Sequence, residues 1–352
     1  MAHPMAHPKS EFFFLKKTGE SGIIQAMKKE SELRYDLLTN DWVIIAPQRR
    51  KRPETGKACP FCSIKTQRKP VLIFNKGKKV KDLKEWTTVV VPNKYPVFYP
   101  ETKAKEEKEN KFRLKIRSGG FHEIVVTREH DKPFSHLSQG RIEEVIKCFQ
   151  ERYLELNKHD FVKYILIFQN YGREAGASQE HPHSQILTSP LIDKEFSTIL
   201  SSSQKYFKEN KQCLQCKINK MEKRNKKRIV FENEDFIAFC PFAPKFLFQV
   251  IVSPKKHSAC FEIISERERK NLAEMFKEIL LRYEAVLGKP AYNFYLHTAP
   301  CNESECFSYF HWYWNFFPRL SKLAGFEMGA NMEILVMSPE EQAMLLRKNK
   351  HV

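Results

Sequence analysis

The segment His181-Pro182-His183-Ser184-Gln185 places two imidazoles and an amide at alternate positions. In an extended chain those three side chains point the same way. They follow Gly172-Arg173-Glu174-Ala175-Gly176-Ala177-Ser178, a loop of small residues that can lie close to an anion. The chemistry this suits is that of a reactive imidazole beside a bound anion. The alternative is a surface loop with two chance histidines, and a short motif needs structural context to decide between them.

Cysteines supply part of that context. Four of the nine form two Cys-x-x-Cys pairs, Cys59/Cys62 and Cys213/Cys216. Two thiolates at this spacing can bind one tetrahedral ion if two more ligands come from elsewhere. A redox pair is the rival, but it normally opens a helix in a thioredoxin-like unit, and these flanks suggest none.

An internal repeat supplies the missing ligands. Glu123-Ile124-Val125-Val126-Thr127-Arg128-Glu129-His130 has a partner in Gln249-Val250-Ile251-Val252-Ser253-Pro254-Lys255-Lys256-His257. After each come a helical pattern, an apolar strand and a further histidine, His181 or His311. The ordered set Cys, Cys, His, His therefore occurs twice: Cys59, Cys62, His130, His181, then Cys213, Cys216, His257, His311. Recurrence in fixed order predicts two zinc sites. His122 is a rival ligand in the first half, but the repeat offers no counterpart ligand there. The repeat also divides the two histidines of the motif. His181-Pro182-His183 aligns with His311-Trp312-Tyr313, so the metal histidine persists and the second becomes tyrosine. His183 is then the reactive group of a single active half, with the second half as scaffold.

The elements that must position these residues are legible as patterns. Tyr164-Ile165-Leu166-Ile167-Phe168 reads as a buried strand leading into the loop. Strands are also expected over 42–46, 86–91, 122–126 and 292–296. Residues 137–157 carry a helical period with Ile142, Val145, Ile146, Phe149, Tyr153 and Leu156 on one face, and 266–286 repeat it. After the first strand stand Arg49, Arg50, Lys51 and Arg52, whose guanidinium groups suit either phosphate capture or a solvated strand end.

The chain is 352 residues long, enough for one large core or two domains. Hydrophobic residues at 41% and aromatics at 12% indicate a globular protein. No apolar run approaches a membrane span. Residues 1–30 are expected to be flexible; their opening tetrapeptide repeat lacks the apolar core of a signal peptide. With an odd cysteine count, this argues against a disulfide framework and for the cytoplasm. The net charge of +18 suits polyanions, either nucleic acid or phosphorylated small molecules. The lysine-rich runs 103–117 and 217–228 have few aromatics for stacking, so they read as a charged connection and solvated surface.

These motifs resemble the galactose-1-phosphate uridylyltransferase family of the histidine-triad superfamily, over most of residues 33–345. The markers are Arg34-Tyr35, Arg49-Arg50-Lys51-Arg52-Pro53, Cys59/Cys62, Asn93, His130, Gly176-Ala177-Ser178, His181 to Gln185 and Gly325-Phe326-Glu327. The second cysteine pair with His257 and His311-Trp312 looks more like a two-zinc branch that includes phosphorylases of the ADP-glucose type. The resemblance implies an α+β fold of two histidine-triad-like halves, each an antiparallel sheet with packed helices. Residues 31–200 form the catalytic half and 201–352 the second. It also implies a nucleotidyltransferase working by ping-pong transfer, with His183 as nucleophile and Gln185 as its catalytic partner. Arg49, Arg52, Asn93, Asn170, Gly176, Ala177 and Ser178 are the implied substrate contacts. Partners would be a nucleotide sugar with a sugar phosphate or phosphate, and the chain a homodimer without nucleic acid or membrane.

Physical chemistry fits these roles. A neutral imidazole is nucleophilic near neutral pH with little activation. Its other nitrogen needs a fixed acceptor, which adjacent backbone can provide. Gln185 offers an amide donor to a phosphoryl oxygen, and backbone N–H groups near Gly176 to Ser178 could stabilise phosphate charge. The departures from the family pattern concern the second metal site of the bacterial type and the hexose acceptor. Tyr313-Trp314-Asn315-Phe316-Phe317-Pro318 lacks a His-x-His pair, Lys322 is shifted, and Glu333 stands where glutamine is expected.

Overall fold

The structure, a computed structural model, describes residues 31–51, 59–100, 105–110, 112–117, 119–301, 307–322 and 324–348. The segment 1–30, read above as flexible, lies outside the described residues. The first half runs β1 (Glu32–Asp36), β2 (Asp41–Ile45), β3 (Leu72–Asn75), β4 (Lys78–Lys79), β5 (Thr88–Pro92), β6 (Lys105–Asn110), β7 (Arg113–Arg117), β8 (His122–Thr127), α1 (Gln139–Leu156), β9 (Tyr164–Tyr171) and β10 (His183–Ser189). Then come α2 (Lys194–Asn210), α3 (Leu214–Asn225), β11 (Ile229–Glu232), β12 (Phe236–Phe239), β13 (Val250–Pro254), α4 (Glu266–Leu287), β14 (Tyr292–His297), β15 (Tyr313–Pro318), α5 (Gly325–Ala330) and α6 (Pro339–Lys348).

The two half-sheets fuse into one. An 11-stranded sheet has the order β11-β12-β13-β15-β14-β9-β10-β8-β5-β3-β4, and every pairing of its strands is antiparallel. The order reads alike from the centre outwards: β9, β10, β8, β5 on one side mirror β14, β15, β13, β12 on the other. The seam is the β9–β14 pair, where Phe168 faces Tyr295 and Tyr171 faces Tyr292. Each half alone would leave a long strand edge of unpaired backbone groups, and joining the edges satisfies both.

One face of the sheet carries the helices. Ile165, Ile167, Ile186, Phe294, Trp314 and Phe316 share a buried core with Phe149 of α1 and Phe276 and Ile279 of α4. The two helices start alike. Ser138 caps α1 by accepting from the Arg141 amide, and Ser265 caps α4 in a capping box with Glu268. Each such cap stabilises its helix by about 1 kcal/mol. The other face of the sheet holds the chemistry. Cross-strand neighbours share a face, so Ile124, Gln185, Phe168, Tyr295 and Asn315 form one row across both halves.

The run 103–117 departs from the expected charged connection. Its described part forms β6 and β7, which join β1 and β2 in a separate four-stranded sheet. Opposite charges face each other there: Glu107 lies 3.5 Å from Lys115 and 2.9 Å from Arg117. A lysine-rich pattern conceals a strand when the pairing partners are acidic residues in the same run. No helix among the described residues is long and apolar enough to cross a membrane.

Candidate active site and metal centres

The eight expected ligands assemble into two groups, Cys59, Cys62, His130, His181 and Cys213, Cys216, His257, His311. Within each group the donor atoms lie within 4.8 Å of one another. In the first, Cys59 Sγ and Cys62 Sγ stand 3.6 and 3.7 Å from His181 Nδ1, and Cys62 Sγ is 3.1 Å from His130 Nδ1. The two Nδ1 atoms are 3.2 Å apart. Two thiolates and two imidazoles around one tetrahedral ion require donor separations of about 3.4–3.8 Å. The set therefore fits one such ion, and the second group matches it, with Cys216 Sγ 3.4 and 3.3 Å from the Nδ1 atoms of His257 and His311.

Outer bonds fix the ligand rings identically. His181 Nε2 donates to the Thr127 carbonyl at 2.8 Å, and His311 Nε2 donates to the Pro254 carbonyl at 3.0 Å. Thr127 ends β8 and Pro254 ends β13. Such bonds set the tautomer that leaves Nδ1 for the metal. Burial pulls His181 below the ordinary imidazole range, which favours the neutral ligand. In the second group, hydrogen bonding from Cys216 first, then His257 and His311, pulls the Cys213 thiol down to about 2 against the effect of burial. The same pairing pushes the Cys216 thiol up, so one proton lies between the two sulfurs.

His183 opens β10 and is buried. Its Nδ1–H donates to the His181 carbonyl at 2.9 Å, which fixes the tautomer with the proton on Nδ1. The Phe61 ring, between the two cysteines of the first knuckle, lies 4.9 Å from the imidazole. His183 and Gln185 line one cavity with Phe61, Asn93, Tyr95 and Ser178. The expected alternation holds for 183 and 185, while His181 leaves the row to join the metal group.

Other expected residues distribute around this cavity. Arg49 donates to the Tyr95 carbonyl at 3.0 Å, which sets it behind the loop that forms the cavity wall. Arg52 lies outside the described residues. Asn93 accepts from the Tyr95 amide at 2.9 Å and turns that loop. Asn170 does not line the cavity. Its Oδ1 accepts from Asn293 at 2.8 Å, and the same Asn293 amide donates to the Ala175 carbonyl at 3.0 Å. Asn170 thus braces the small-residue loop together with a residue of the second half.

The loop itself corrects one expectation. The Gly176 and Ala177 amides donate to the carbonyls of Arg173 and Gly172, at 2.9 and 3.1 Å, so they close the loop and do not face a phosphate. Ser178 is the member of the trio that reaches the cavity with His183, whereas Ala177 faces the adjoining cavity beside Arg173 and Lys289. Gly176, at φ +85°, supplies the left-handed turn. Gly172 is required twice over: its φ is +84°, and an added Cβ would meet Ala291 Cβ at 2.6 Å. Gly172→Ala is expected to destabilise the fold by about 1–3 kcal/mol and to lower activity through displacement of Ser178. Urea unfolding measured beside initial rates checks this; unchanged values in both would contradict it.

His122 is not a metal ligand. Its Nε2 lies 2.9 Å from Gln185 Oε1 and 3.2 Å from Asn93 Nδ2. Sequence reading missed this role and that of Asn293. A signal for His122 was present, since Gln249 stands at the matching position before β13. Asn293 offers none, because its effect crosses the seam between halves.

The second half keeps the frame without a histidine at the place of His183. Tyr313 occupies the place of His183, and its hydroxyl bonds His297 Nδ1 at 3.1 Å. Burial pushes the phenol far up and His297 down to about 4, so both stay neutral.

A duplicated sheet carries one oriented imidazole in a cavity, and the family and relatives it matches make the chain a nucleotidyltransferase. The family described as galactose-1-phosphate uridyl transferase matches twice, its N-terminal domain over residues 23–193 and its C-terminal domain over 199–343. The chain belongs to the galactose-1-phosphate uridyl transferase family. It is 30% identical over 334 residues to the ADP-glucose phosphorylase of Arabidopsis thaliana, covering 90% of this chain and 92% of that one. It is 31% identical over 329 residues to the galactose-1-phosphate uridylyltransferase of Thermotoga maritima, covering 91% and 98%. The crystal structure of an Arabidopsis thaliana ADP-glucose phosphorylase with bound ADP-glucose superposes with a TM-score of 0.72 at 29% identity, covering 91% of this chain and 99% of that one.

Proposed function

We propose that this chain transfers a nucleotidyl group from a nucleoside diphosphate hexose to a hexose 1-phosphate through a covalent bond on His183. The observation that carries the reading is the 2.9 Å bond from His183 Nδ1–H to the His181 carbonyl, which leaves Nε2 as the nucleophile in a cavity shared with Gln185. Nε2 attacks the α-phosphorus, and the bond from that phosphorus to the oxygen bridging to the β-phosphate breaks. Hexose 1-phosphate leaves with the electron pair and needs no general acid, being already a good leaving group. The imidazole keeps its Nδ1 proton, and the His181 carbonyl stabilises the charge that develops on the ring. An oxygen of the acceptor phosphate then attacks the same phosphorus, and the P–N bond breaks to regenerate His183.

Gln185 donates its amide to a non-bridging oxygen of the transferring phosphoryl group. Ser178 reaches the neighbouring phosphate through its hydroxyl, and the basic run that includes Arg49 and Arg52 supplies positive charge. Zinc is the ion proposed for both Cys/His groups, since two thiolates with two neutral imidazoles are a common structural zinc set. It would hold the loop that carries His181 and His183 and would take no part in bond breaking. A homodimer is the proposed assembly.

A second reading is supported by the Arabidopsis thaliana relative: phosphorolysis of a nucleoside diphosphate sugar with inorganic phosphate as acceptor. One panel separates the two. UDP-glucose and ADP-glucose are each offered with galactose 1-phosphate or inorganic phosphate, and products are resolved by chromatography. UDP-galactose formation at a rate well above that of phosphorolysis is expected for the first reading. Turnover with inorganic phosphate and ADP-glucose alone would replace it with the second.

A further inference from the structure

The Val97 amide donates to His122 Nδ1 at 3.1 Å. That bond settles the ring: Nδ1 is an acceptor, so the proton of the neutral imidazole sits on Nε2. Nε2–H then donates to Gln185 Oε1 at 2.9 Å. An acceptor fixed at Oε1 also fixes which way the Gln185 amide faces, with its NH₂ turned away from His122. Asn93 Nδ2 lies 3.2 Å from the same Nε2 with its Oδ1 held by the Tyr95 amide, so with the proton on Nε2 these two donors touch without a hydrogen bond, and the backbone donor Val97 decides the tautomer.

The second half repeats the device with other residues. Gln249 precedes β13 by the same five positions from Pro254 that separate His122 from Thr127. Asn315 holds the place of Gln185, two residues beyond the tyrosine that replaces His183. Gln249 Nε2 donates to Asn315 Oδ1 at 3.0 Å, and the freed Asn315 Nδ2 donates onward to Tyr295 Oη at 2.7 Å. In both halves, then, a donor on one strand grips the amide oxygen on the next and presents the amide nitrogen to the sheet face. The second copy shows where such a nitrogen goes: to an oxygen above that face.

We propose that His122 is a positioning residue that holds Gln185 by its amide oxygen and so aims the amide NH₂ at the phosphoryl group bonded to His183. The chain just beyond the cavity residue Tyr95 takes part as well, because the Val97 amide sets the tautomer of His122 and so the orientation of Gln185. The kinetic consequence rests on the nucleotidyl-transfer reading; the hydrogen-bond link itself does not.

The test uses full-length metal-loaded protein. Single-turnover labelling of His183 by UDP-glucose or ADP-glucose is followed by intact mass for wild type, His122→Leu, His122→Gln, Gln185→Met and the double variant His122→Leu/Gln185→Met. His122→Leu is expected to slow labelling by about 10- to 100-fold, part of the effect of losing one transition-state donor, with little change in KM. His122→Gln, the choice of the second half, should stay within about 5-fold of wild type. The double variant should be no slower than Gln185→Met, because two residues acting through one bond do not add. Additive losses, or His122→Gln as slow as His122→Leu while melting like wild type, would overturn the proposal. Failure of wild type to label with either sugar nucleotide would instead overturn the functional reading. The link is then read without turnover, from the Gln185 side-chain amide resonances of glutamine-labelled protein. They are expected to shift in His122→Leu and to return in His122→Gln, and unshifted resonances in His122→Leu would refute the link.

Discussion

His183→Ala is expected to abolish covalent nucleotidylation and to reduce turnover by roughly four orders of magnitude or more, as removal of a nucleophile generally does. The chain should remain folded, with both metal groups loaded, because His183 contributes no metal ligand. The decisive measurement is intact mass after incubation with UDP-glucose or ADP-glucose. Wild type should gain the mass of one nucleotidyl group, and the variant none. His183→Gln controls for volume, since an amide keeps most of the size of the ring but is not a nucleophile. Labelling that persists in either variant would move the covalent bond to another residue and discard the mechanism. Tyr313 is no substitute, because burial holds its phenol protonated and its hydroxyl is committed to His297.

Metal loss is expected to separate the halves. Cys62→Ala should remove the first ion, lower stability by several kcal/mol and slow labelling by at least about 100-fold. Three contacts connect that site to the chemistry. His181 supplies a ligand from its ring and the acceptor for His183 from its carbonyl. Phe61 packs on the His183 ring from between the two cysteines. Thr127 ties His181 to β8, the strand that also carries His122. Cys216→Ala should remove the second ion at a comparable cost in stability. Labelling should continue wherever the chain stays folded, since that site joins Tyr313 and not His183. Metal analysis should read two ions in wild type and one in each variant, with unfolding followed in parallel. Equal loss of labelling in both variants, at a temperature where both are folded, would refute the division of roles.

Much of the site was legible because chemistry of this kind uses side chains at regular spacing. Ligand order survives in a duplicated chain even when the ligands are far apart, so all eight ligands could be grouped before folding brought them together. The caps Ser138 and Ser265 and the helices behind them obeyed the same repeat. The charged hairpin of β6 and β7 was not legible, because lysine and glutamate in one run carry no apolar period. Nor was the closure of the Gly176 and Ala177 amides onto Arg173 and Gly172, which depends on backbone turns and not on side-chain type.

By itself the sequence determined the residue types at the site: two metal sets, one unmatched imidazole and an amide two positions on. Local periodicity and internal duplication suffice for that, because both are written along the chain. The tertiary structure alone decided the partners that are distant in sequence. It joined β9 to β14 and brought Asn293 under the loop of the other half. It withdrew Asn170 to a bracing role and moved His122 from candidate ligand to the bond that orients Gln185. Cross-strand register and the direction of each donor set these contacts, and neither exists until the strands pair.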